Sequence, residues 1–99
     1  VEKVINVEAE LAKDNKGNAR ATRTTLALIA DALWTYAEAA DNVRRHGSIV
    51  AHPRTAAPID NPYLRVMQQA AKGIERGRGL KTDRVFLLVR EHFAKKGDK

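Results

Sequence analysis

Ninety-nine residues suit one domain with a single small core, and so short a chain gains from self-association. The lack of cysteine excludes a disulfide scaffold, a cysteine-ligated metal and a thiol nucleophile. The net charge of +6 is unevenly spread: residues 1–43 hold five Lys/Arg against seven acids, whereas residues 44–99 hold thirteen against five, which directs the second half toward a polyanion.

In chain order, Val4, Val7 and Leu11 predict a short helix over 2–13, with Glu2 and Lys13 placed as the helix dipole prefers. Asp14-Asn15-Lys16-Gly17-Asn18 is a polar turn. Residues 20–45 carry the strongest helical signal, with Leu26, Ile29, Ala30, Leu33, Ala37, Ala40 and Val43 on one face. Thr22, Thr24 or Thr25 supplies a cap for a later start, and Gly47 stops the helix behind Arg44, Arg45 and His46. Trp34 and Tyr36 fall partly off the stripe, and Trp34 is expected to pack on the first helix, the third helix or another subunit.

Residues 47–60 contain the β-like run Ile49-Val50-Ala51 and the prolines Pro53 and Pro58, which predicts a small hairpin or an extended loop. Asn61 as cap and Pro62 as first helical residue open a helix over 61–77 with the stripe Tyr63, Val66, Met67, Ala70 and Ile74. Gly77 and Gly79 end it. A last helix spans 82–95, capped by Thr82, with Val85, Leu88, Val89 and His92 on one face and Phe86, Leu87 and Phe93 widening it. Surplus apolar surface there has two readings, a helix buried in its own domain or a subunit interface through Val85, Phe86, Leu88, Val89 and Phe93. The fold class is all-α: four helices, one long, with a short β-hairpin or extended loop between the second and third.

Catalysis finds no anchor. His46, His52 and His92 lie on three segments without metal-ligand spacing. The glycines of Gly73-Ile74-Glu75-Arg76-Gly77-Arg78-Gly79 follow a helix and lack the Gly-Lys-Ser/Thr of a phosphate loop. Ser48 is the only serine and has no nucleophile-elbow context. No metal or cofactor is called for, and no apolar run approaches the roughly 18 residues of a membrane span. A soluble cytoplasmic protein is the expectation. Binding of double-stranded DNA has positive support from Arg76, Arg78, Lys81 and Arg84 around the glycine turn and from Arg44, Arg45 and Arg54 at the end of the long helix. The competing reading pairs these cations with Asp60, Glu75, Asp83 and Glu91.

The run from Trp34-Thr35-Tyr36 through Asn42-Val43-Arg44-Arg45-His46-Gly47-Ser48-Ile49-Val50, then Asn61-Pro62-Tyr63, then Arg78-Gly79-Leu80-Lys81-Thr82-Asp83-Arg84, resembles the P27-like phage terminase small subunits over about residues 26–90. Lys81 and Thr82 stand where that family carries Thr-Pro, while Arg84 matches its arginine. The resemblance implies a non-catalytic packaging component that assembles as a ring, binds viral DNA at its packaging start and hands it to a terminase large subunit with ATPase and nuclease activity, in the cytoplasm of the host cell. Residues 1–99 are then one helical domain for DNA binding and homo-oligomerisation. Two rivals stand beside this: a dimeric helix-turn-helix transcription regulator on a two-fold operator, and an adaptor whose basic face meets an acidic protein.

Overall fold

The computed structural model describes residues 5–77 and 79–97. Its elements run α1 (Val7–Asp14), α2 (Arg23–His46), β1 (Ile49–Ala51), β2 (Pro58–Asp60), α3 (Tyr63–Glu75) and α4 (Asp83–Gly97). The first helix starts later than its periodicity suggests, because the Asn6 carboxamide accepts from the Ala9 N–H at 3.0 Å and fixes the cap there. Val4, part of the predicted stripe, lies outside the described residues.

Thr22 is the cap of α2: its hydroxyl accepts from the Thr25 N–H at 3.2 Å. The 24 residues of α2 make a rod of about 36 Å. It ends at Gly47, whose φ of +84° suits glycine and whose N–H donates to the Val43 carbonyl. The hairpin reading of 47–60 holds. Antiparallel pairs join Ile49 to Asp60, Val50 to Ile59 and Ala51 to Pro58, so Pro58 opens its strand, where a missing N–H is tolerated. The His52 imidazole organises the loop between the strands, its Nδ1 accepting from the Arg54 N–H at 3.1 Å.

Asn61 ties three elements together. Its Nδ2 donates to the Gly47 carbonyl at the end of α2 and to Asn42 Oδ1, and its Oδ1 accepts from the Tyr63 N–H at the start of α3. The helix proper therefore begins one residue after Pro62. α3 returns antiparallel to α2 at close range: a Cβ on Gly73 would stand 3.3 Å from that of Ala32, and one on Gly77 only 2.5 Å from Ile29 Cδ1. Small residues thus set the α2–α3 approach.

The core comes from α1, α2 and α4. Val7 and Leu11 meet Leu26, Ile29, Leu33 and Ala37, closed by Val85, Val89 and Phe93. α3 adds only Ala70 to the buried set. The result is a plate of 52 × 32 × 17 Å, barely two helices thick. Trp34 packs on α4, with its ring centroid 4.8 Å from Phe93 and 5.4 Å from His92. The fourth helix was not among the expected partners, which were the first helix, the third helix or another subunit; within the protomer the indole meets two adjacent rings of α4. Tyr36 meets Phe86, also on α4.

The predicted interface residues divide. Val85 and Val89 are 0% exposed and Phe93 is nearly so, which means these three lie in the protomer's own core and have no surface to offer a second subunit. Phe86 and Leu88 are half-buried, and Leu87 is 66% exposed. One face of α4 closes the core; the other is mostly charged, through Arg84, Arg90, Glu91 and Lys95, with Leu87 exposed among them.

Candidate nucleic-acid interface

The cations predicted to meet phosphate fall into two groups. Arg44 and Arg45, in the last turn of α2, converge on one carboxylate, Asp41, at 3.0 and 2.7 Å. Arg84, in the first turn of α4, reaches back to α1. Its Nε lies 2.9 Å from Asp14 and its Nη2 lies 2.8 Å from Glu10. None of these acids was among the expected partners. Of those, only Glu91 forms an ion pair among the described residues, and it does so with Lys95 at 3.0 Å.

Arg54, Arg76 and Lys81 behave differently. All three are exposed, and none forms an ion pair among the described residues. Arg54 sits in the loop clamped by His52, and Arg76 closes the last turn of α3. Lys81 is held by its backbone: its N–H donates to Asn15 Oδ1 at 2.7 Å, and its carbonyl accepts from Asn15 Nδ2 at 3.0 Å. The Lys81 ammonium is thereby offered to solvent from a fixed main chain. Arg78 lies outside the described residues.

Two further exposed cations, Arg65 and Lys72, share the outer side of α3 and also lack ion pairs among the described residues. No motif in the sequence marks them; their seven-residue spacing, which places both on one side of a helix, is the signal they carry. The three histidines occupy separate settings, and no group of His, Asp and Glu suited to a metal ion occurs among the described residues. Among them, too, no helix is long and apolar enough to cross a membrane.

The Arg84 contacts give α1 a pH response. Hydrogen bonding from the Arg84 guanidinium, then from the Lys13 ammonium, holds the Glu10 carboxyl below its ordinary value of 4.5. Asp14 and then Glu10 push the ionisation of Arg84 further up. Because Glu10 is more acidic folded than unfolded, its contribution to stability is present above the unfolded value and is lost as pH falls through the folded one. The thermal midpoint should therefore drop as pH is lowered from about 5 to about 3, and Glu10→Gln should flatten that segment of a midpoint-against-pH series. An unchanged slope in the variant would remove Glu10 from this role.

The described residues form a small basic helical protomer with a thin core, a main chain fixed at the turn before α4, and exposed cations. The family follows from comparison: residues 7–78 match the model described as "Phage terminase, small subunit", and the chain belongs to that family. The match takes in α1, α2, the hairpin and α3, and stops before α4. No curated protein and no solved structure shows significant similarity to the chain.

Proposed function

We propose that this phage terminase small subunit is a non-catalytic, P27-like DNA-binding component that assembles as a closed homo-oligomer, recognises viral duplex DNA in the host cytoplasm and recruits or regulates the large ATPase/nuclease subunit. The observation that carries the reading is the division of cations. Acids neutralise Arg44, Arg45 and Arg84, yet Arg54, Arg76 and Lys81 remain exposed without ion pairs among the described residues. Arginine and lysine in that state release condensed counterions when they meet phosphate. The partly neutralised arginines can exchange a solvent-exposed carboxylate for phosphate at little cost, because surface ion pairs are weak.

Self-association is supported by surface that one protomer leaves open: Leu28 on α2, Ile49 in the hairpin and Leu87 on α4, each more than half exposed, with Phe86 and Leu88 beside the last. Repeated copies of a weakly basic face would then add through avidity.

Fluorescence anisotropy of a labelled duplex across a salt series tests the binding, and native mass measurement tests the assembly. Affinity that falls steeply with salt, in a species larger than a dimer, is the expected result. No binding at low salt would overturn the DNA assignment, and a dimer on a two-fold site would favour the regulator.

A further inference from the structure

We infer that the outer face of α3 is a ridge that tracks the phosphate backbone of duplex DNA, formed by Arg65, Gln69, Lys72 and Arg76 with Gln68 on its flank. This rests on the reading that the chain binds duplex DNA and goes further by naming a surface. At about 100° per residue, the four principal side chains fall within a sector of about 60°, and they rise about 16 Å along the helix. That length covers about half a turn of the double helix. All five residues are exposed, and none of the three cations forms an ion pair among the described residues.

The opposite side of α3 is firmly backed. Ala70 is buried, and Gly73 brings the helix against Ala32 of α2, so the ridge stands on a fixed support. The one acid on the helix, Glu75, lies off the ridge and lines the groove floored by Leu33, Tyr36 and Phe86. What faces solvent along the ridge is therefore arginine, lysine and carboxamide, all donors suited to phosphate oxygens.

Helix stability does not account for this pattern. Lys72 and Arg76 near the C-terminal end favour the dipole, but Arg65 sits in the first turn, where a cation is opposed by it and where α3 has no acid. A solvated helix selected for stability alone would carry an acid there. A duplex source fits better than an acidic protein surface because the donors repeat along a straight line with no apolar anchor among them, whereas protein interfaces are centred on buried apolar or aromatic groups.

The test compares the full chain, Arg65→Ala/Lys72→Ala, and a control, Arg90→Ala/Lys95→Ala, that loses the same charge from α4. Each is titrated against two unrelated duplexes of about 30 base pairs over a salt series. The ridge variant should bind at least tenfold more weakly at about 100 mM salt, equally for both sequences, with its salt slope reduced by about two for each engaged protomer. The control should stay within about twofold of the wild type, and Arg65→Lys/Lys72→Arg should retain affinity. Thermal melts of all variants should superimpose, since the altered side chains are exposed.

Wild-type binding with an unaltered ridge variant, or a ridge variant no weaker than the control, overturns the ridge and leaves the DNA reading standing. Failure of the wild type itself overturns both. Competition by polyglutamate as strong as that by unlabelled duplex reassigns the face to an acidic protein.

Discussion

A chain cut after Lys81 is expected to lose cooperative unfolding, even though the family match ends at residue 78. The cut removes Val85, Val89 and Phe93, three of the ten residues of the buried cluster. At about 1.5–3 kcal/mol for each apolar side chain taken from water, their loss is about 5–9 kcal/mol. A domain of this size holds about 5–15 kcal/mol in all. The loss reaches further, because Leu11, Leu33 and Trp34 would be left facing water. α3 cannot replace α4, since it lies along α2 and contributes only Ala70 to the buried set. Circular dichroism melts and dye binding to exposed apolar surface would read the outcome: a broad, non-cooperative loss of helix with strong dye binding. A sharp melt within a few degrees of the full chain would show that α1, α2 and α3 carry a sufficient core. The milder Phe93→Ala should cost about 3–5 kcal/mol and keep a cooperative transition.

Much of the fold could be read from local signals, because those signals act locally. Gly47 stops α2 through its own backbone conformation, and Thr22 caps it through a side chain three residues from its target. Ile49-Val50-Ala51 forms a strand, and Pro58 takes the position a proline can take. Information that depends on packing direction was out of reach. Periodicity showed how much apolar surface the last helix carries, but not that Val85, Val89 and Phe93 face inward while Leu87 faces out. Trp34 lies off the α2 stripe in sequence, and nothing in its neighbours points to His92 and Phe93.

The candidate surface was legible only in part, for a related reason. Counting charges by halves treats the chain as a line. Folding brings Glu10 and Asp14, from the acidic half, onto Arg84 in the basic half, some seventy residues away. Local pairing then removes Arg44 and Arg45 through Asp41, three and four residues earlier on the same helix. The cations left over include Arg65 and Lys72, which no motif singles out. An isolated lysine or arginine on a helix is common; its meaning comes from which neighbours lack acids, and that needs the three-dimensional arrangement.

Asn15→Ala is expected to destabilise the protein by about 3 kcal/mol, far more than a polar turn residue usually would. Asn15 is 3% exposed and stands where α1 ends and the turn before α4 begins. Its Oδ1 accepts from the Lys81 N–H, and its Nδ2 donates to both the Leu11 and Lys81 carbonyls, at 2.8 and 3.0 Å. Alanine would remove these bonds at a partly buried junction; the Leu11 carbonyl keeps the Asn15 N–H, but the Lys81 N–H and carbonyl both lose the carboxamide, at about 1–3 kcal/mol each. The same change uncouples the main chain that presents Lys81. Asn18→Ala, which breaks two exposed bonds, one to the Gly79 carbonyl and one from the Arg20 N–H, should cost about 1 kcal/mol and serves as the comparison. Asn15→Asp separates geometry from hydrogen-bond direction. The carboxylate keeps the acceptor for the Lys81 N–H but sets an oxygen against two carbonyls, so it should be nearly as damaging as alanine at neutral pH. Stability should return in part as the carboxyl gains a proton and becomes a donor. Urea unfolding of the three variants at about pH 7 and about pH 4 gives the comparison. If Asn15→Ala proved no worse than Asn18→Ala, the carboxamide would not be what joins α1 to the turn, and packing of Leu11 against Val85 and Val89 would have to hold the two together unaided.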